Sequence, residues 1–225
     1  MRFKWMIGVL LANACVMVSR GQYHVLPGKT DPGDFQDCFP KTPARICLGA
    51  TGTTHCYEPP SEKDYIFGLE PKATPVGRLD GNELILFTAM FSGCGSGALT
   101  HFSLLTIRNG EFVNLLPKVE LTNQSEYKLW SLPQFSSLPV LVTADFVWDF
   151  EAMKRSNYNE ETHFAPHRYR VDAFVYDAKS RRYLQSVHYE TTDRYPGLDD
   201  ADGIKILDAE KTVILANLRQ NTSSH

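Results

Sequence analysis

Apolar positions fall into short blocks divided by turn residues, and the clearest begin at Leu79. Glu83 to Phe91 is a nearly continuous apolar run bounded by Asp80-Gly81 and Gly93. A run of that length between turn signals predicts a strand buried on both faces. His101 to Arg108 predicts a second strand, and Asn109-Gly110 is a strong hairpin signal. Glu111 to Leu121 then reads as the returning strand and Tyr127 to Leu132 as a shorter fourth. Pro139 to Trp148 is another apolar strand, followed by a polar loop. Arg168 to Tyr176, a turn over 177–181, and Arg182 to Thr192 make a second hairpin. On the returning strand of this hairpin strict alternation puts Tyr183, Gln185, Val187 and Tyr189 on one face and Leu184, Ser186 and His188 on the other.

The order recurs. Similar beginnings occur near Leu79, Leu138 and Asp202, a spacing of about 60 residues. A last strand is expected over 212–218. The reading is a mostly β protein built of antiparallel meander repeats, as a partial propeller-like array or a β-sandwich. Residues 79–225 form this repeated β domain.

The stretch 22–78 has another character. Eight prolines between Pro27 and Pro75 remove amide donors and interrupt ladders, which predicts an irregular extension of loops and short edge strands. It also carries Cys38, Cys47 and Cys56, nine residues apart, and Cys94 follows in the main body. Four cysteines predict two disulfides and allow three connectivities. Nine-residue spacing is not zinc-ligand spacing.

Residues 1–21 have the order of a secretory signal. Arg2 and Lys4 precede an uncharged apolar run from Trp5 to Val18, and small residues follow. Cleavage before Gln22 suits this pattern, and cleavage before Cys15 is the alternative, with a lipid anchor on Cys15 as its variant. The mature protein is therefore expected outside the cytoplasm, periplasmic or secreted, and without a transmembrane segment.

Composition narrows the partners. Apolar residues are 43% of the chain, enough for a packed core, and the net charge of −3 lacks the basic excess that nucleic acid requires. The candidate chemistry is sparse. Asp145 and Asp149 share one strand face, as paired catalytic carboxylates of a glycan hydrolase would. Asp172, among arginines, reads as a salt-bridge partner. Trp148, His163, His167, Arg168, Tyr169, Arg170 and Tyr189 suggest an aromatic, cationic surface suited to a protein or glycan. Gly93-Cys94-Gly95-Ser96-Gly97-Ala98 mimics a dinucleotide-binding turn but lacks a following helix, so a disulfide-pinned connection is preferred.

The turns Asp80-Gly81 and Asp202-Gly203 resemble the loops of integrin-type propeller repeats, through Asp200, Asp202 and Gly203. That resemblance implies calcium at Asp199, Asp200 and Asp202; no other cofactor is expected. Three functions follow as expectations. The first is an exported non-enzymatic domain that binds a macromolecular partner, such as an inhibitor or immunity protein directed at an exported hydrolase. The second is an extracellular or periplasmic glycan hydrolase, and the third a calcium-stabilised envelope structural protein.

Overall fold

A computed structural model of the protein describes residues 23–30, 40–49, 51–61, 65–92, 97–147, 166–195 and 205–222. Within them the chain is mostly β, and the strands pair antiparallel. β1 (Tyr23–Leu26), β2 (Arg45–Leu48) and β3 (Cys56–Tyr57) form a small sheet. β4 (Leu69–Leu79), β5 (Asn82–Ser92) and β6 (Ala98–Arg108) form the body of a five-stranded sheet. β7 (Glu111–Asn114) and β8 (Val119–Thr122) both pair with β6, along successive halves of it. The expected single return strand is thus two, because Pro117 in the intervening stretch has no amide to give a ladder. β9 (Glu126–Trp130), β10 (Val140–Phe146), β11 (Tyr169–Asp177) and β12 (Arg182–Glu190) form a four-stranded sheet in the order β12-β11-β10-β9. Helices α1 (Ile206–Ala209) and α2 (Lys211–Thr222) end the described chain.

Period-two alternation sorts the core into three apolar seams. Leu84, Leu86, Phe102 and Leu104 on one face of the five-stranded sheet meet Leu141, Phe174, Tyr176 and Tyr183 of the four-stranded sheet. The opposite face, with Ile85, Phe87 and Leu105, packs on Ala44, Ile46 and Phe67 of the N-terminal segment. The far face of the four-stranded sheet, with Val142, Ala144, Val171 and Val187, packs on Ile206, Leu207, Ile214 and Leu218. The arrangement is a β-sandwich with a small sheet outside one face and helices outside the other. β5 is apolar on both faces because it is the strand covered by two seams.

The extension divides as it meets this core. Its first part is the irregular segment with short strands that its prolines predict, and Cys47 and Cys56 lie opposite each other on β2 and β3 in a disulfide, with Cα atoms 4.0 Å apart. Closing that small loop limits the unfolded chain and contributes about 2–3 kcal/mol. Its second part, β4, is an 11-residue strand of the main sheet. Its prolines, Pro71 and Pro75, lie on an edge strand and at irregularities of its register with β5.

One expectation fails outright. Residues 212–218 lie in α2, not in a strand. Val213 to Ala216 is a continuous apolar block, which carries no period of its own, but Ile214 and Leu218 are one helical turn apart and both are buried. The third recurrence, at Asp202, accordingly leads into α1 and not into a third meander. Among the described residues no helix is long and apolar enough to cross a membrane.

Candidate functional site

A polar cleft opens where β8 meets the edge of the four-stranded sheet. It measures about 290 Å³ and is lined by Lys118 and Glu120 from one sheet and by Arg170, Asp172, Gln185 and His188 from the other. A β-bulge assembles the second group. In the β11–β12 register Ala173 faces Val187 but Phe174 faces Gln185, so Ser186 is the extra residue. The bulge shifts the alternation by one position. Gln185 and His188, which strict alternation puts on opposite faces, therefore both point to the sandwich interior beside Asp172.

Asp172 holds the cluster. Its Oδ1 accepts from Gln185 Nε2 at 2.6 Å and lies 2.6 Å from His188 Nδ1, and Arg170 Nε lies 3.6 Å from Oδ2. A carboxylate at Nδ1 favours the proton on that nitrogen, which leaves the Nε2 lone pair as the ring's basic site. The Asp172 carboxylate is largely buried, while the His188 side chain is 61% exposed. An inner acid thus orients an outer imidazole.

Asp145 does similar work one strand pair away. Its Oδ1 accepts from the Thr122 amide at 2.9 Å and the Thr122 hydroxyl at 2.8 Å, and its Oδ2 accepts from Arg170 Nη2 at 2.9 Å. The carboxylate is nearly buried. It joins β8 of one sheet to β10 and β11 of the other, and three donors occupy it. Rim charge is shared as well, since Lys118 Nζ lies 3.2 Å from Glu120 Oε1.

The surface expected from the sequence is divided between two sides of the sheet. His167 and Tyr169 are buried, with the His167 ring 4.0 Å from that of Phe146 and Tyr169 edge-on to Phe146 and Tyr195. Tyr189 is half-buried, and its hydroxyl donates to Glu210 at 2.9 Å beneath the helices. Arg168 is exposed, and Arg170 faces the opposite way, into the cleft. These rings are core, because the four-stranded sheet is covered on both faces. Trp148, Asp149 and His163 lie outside the described residues, as do Cys15, Cys38, Cys94, Asp199, Asp200 and Asp202. Among the described residues no three His, Cys, Asp or Glu side chains gather to hold a metal ion.

A second constellation looks chemical but is sealed. Ser103 Oγ lies 3.1 Å from His101 Nε2 and 2.9 Å from the Tyr57 hydroxyl, and His101 Nδ1 lies 3.7 Å from Glu120 Oε1. The order serine, histidine, acid is that of a hydrolase. Ser103 and His101 are buried, however, between β6 and the N-terminal segment, and Phe67 stacks near the imidazole. No substrate atom reaches Ser103. Burial, with a smaller contribution from Lys118, lowers the His101 pKa to about 4, so the ring is neutral.

Asp172 was legible as a salt-bridge partner. No local motif marks His188, Gln185, Lys118 or Glu120. The one usable signal is the polar run Gln185-Ser186 within an otherwise alternating strand, which is where the bulge sits.

No protein family, curated protein or solved structure matches the chain.

Proposed function

We propose that the chain is an exported, non-enzymatic β protein that binds a macromolecular partner, protein or glycan, at the cleft between β8 and β12. One observation carries this reading: Asp145 and Asp172 are turned inward and engaged, and they hold Arg170, Gln185 and His188 as oriented polar groups at the rim. Groups already oriented lose little entropy on binding, which favours recognition of a polar partner. The order of residues 1–21 supports export, and the Cys47–Cys56 disulfide fits an oxidising compartment. An inhibitor or immunity protein acting on an exported hydrolase is the concrete version, by analogy of compartment and fold.

The test is capture. Immobilised mature protein and its Lys118→Glu/His188→Ala variant are exposed to the secreted fraction of the source cells. A species retained by the first and lost on the second supports the proposal. Equal retention on both overturns it.

The His188–Asp172 pair favours a second reading, a glycan hydrolase with His188 as general base, since an acid-oriented, accessible imidazole is what that role needs. Release of reducing ends by the wild type, abolished in His188→Ala, would replace the binding reading. The calcium reading rests on the acidic run alone. A rise in melting temperature on adding calcium, lost in Asp200→Asn/Asp202→Asn, would support it.

A further inference from the structure

The opposite end of the sandwich holds a separate cleft of about 310 Å³. Three hairpin tips converge on it: Asp80-Gly81 between β4 and β5, Asn109-Gly110 between β6 and β7, and the β11–β12 turn ending at Arg181. All five of these residues have positive φ, between 51° and 84°. The tips are tight turns, not long loops, so the groups they carry are fixed in place.

Asn82, Thr106 and Arg108 point into this cleft from the inner face of the five-stranded sheet. They continue the rows of Leu84 and Leu104, which face the other sheet. Arg181 faces them from the β11–β12 turn, and its guanidinium is already paired with the Asp80 carboxylate. The remaining charge is that of Arg108. Its Nε and Nη2 are shielded from solvent, and among the described residues neither has a hydrogen-bond partner. The Thr106 hydroxyl beside it is equally without one, and Thr106 is 1% exposed. Nε and Nη2 form the side-on edge of a guanidinium, the edge that takes two oxygens of one oxyanion in parallel hydrogen bonds. An arginine stays charged at every physiological pH, so burial of that edge calls for an anionic acceptor.

We propose that this cleft binds a small oxyanion-bearing ligand, a carboxylate or a phosphate, through the Arg108 Nε/Nη2 edge and the Thr106 hydroxyl. The volume suits a small molecule and is at the low end for ligand sites. Asn82 and Asn109 add neutral amides to the lining, and the Arg181–Asp80 pair closes one side without adding net charge.

Titration of the mature protein with inorganic phosphate, with citrate and with acetate, each against a chloride control, tests the site by calorimetry and by amide shifts. Saturable binding of at least one probe at one site per chain is expected, with shifts centred on Thr106 and Arg108. Phosphate binding alone identifies a phosphate site, and citrate or acetate binding alone a carboxylate site. Arg108→Met should abolish binding. Thr106→Val, which keeps the shape and removes only the hydroxyl, should weaken it about tenfold and keeps the test valid if the arginine variant does not fold. Failure of every probe to bind at about 20 mM, or binding unchanged in Thr106→Val, overturns the proposal.

Discussion

Asp145 accepts a 2.9 Å hydrogen bond from Arg170, its direct partner across β10 and β11, while its other oxygen accepts both donors of Thr122 on the opposing sheet. One buried carboxylate therefore secures a strand pair and an inter-sheet contact together. Asp145→Ala leaves the Thr122 amide and one Arg170 donor without an acceptor. The expected cost is about 1–3 kcal/mol, the scale for leaving a part-buried donor unsatisfied, since the half-exposed Arg170 guanidinium can return to water. Asp145→Asn keeps an oxygen for Thr122 and should cost about half as much. Urea denaturation of the three proteins measures both values. A wild-type-like midpoint for Asp145→Ala would mean that the carboxylate is not a structural tie.

The sandwich was readable because its strands are long apolar or alternating blocks with strong turn chemistry between them. Asn109-Gly110 and Asp80-Gly81 mark hairpins in any context, and both adopt the left-handed conformations that such turns need. Two other features were not readable. The helical state of 211–222 depends on a tertiary partner, the far face of the four-stranded sheet, which overrides a locally ambiguous apolar block. The cleft depends on a register shift at Ser186, and register is a property of paired strands. Aromatic residues such as Tyr169 suggested a surface only because the sequence does not show that both faces of β11 are covered.

His101 makes stability depend on pH. Its folded pKa is lowered to about 4 by burial, below the ordinary value of 6.5, so the unfolded chain binds the proton more readily. The stability from the neutral ring is fully present above pH 6.5 and is lost as pH falls towards 4, by roughly 3 kcal/mol. Glu120, 3.7 Å from Nδ1, is shared with Lys118 and does not reverse the sign. His101→Gln keeps a group able to bond Ser103 and should flatten the curve over this range. Chemical denaturation at half-unit pH steps compares the two proteins.

Tyr189 and Tyr195 both donate to Glu210, at 2.9 and 2.5 Å, and so fasten the joint between α1 and α2 to the four-stranded sheet. Burial first, and the Glu210 carboxylate second, push both phenols well above the ordinary tyrosine range. A raised folded pKa contributes stability that is complete below pH 10 and is lost at higher pH. Ultraviolet titration should therefore show these two phenols ionising only as the helices detach. Tyr195→Phe leaves one buried oxygen of Glu210 without its donor and should cost about 1–3 kcal/mol. Ionisation of all ten tyrosines in a single step near pH 10, with the fold intact, would contradict this account.

Deletion of Ser186 tests the bulge and the cleft together. Ser186 stands outside the pairing, so its deletion leaves Gln185 opposite Phe174 and Val187 opposite Ala173, with unbroken alternation along β12. Tyr183 keeps its place between the sheets, and its hydroxyl keeps the Pro139 carbonyl. The deletion removes the bond from the Asn221 amide to the Ser186 carbonyl and should cost about 1 kcal/mol. Gln185 and His188 should both stay on Asp172, and NMR of the imidazole should show the same tautomer in both proteins. A loss above about 3 kcal/mol, or a His188 that exchanges between tautomers, would mean that Ser186 takes part in the pairing. Substitution of Ser186 by Ala keeps the residue count and should leave both stability and the His188 tautomer unchanged, since the Ser186 hydroxyl bonds only the Leu184 carbonyl at 3.4 Å and the Asn221 amide binds its backbone oxygen.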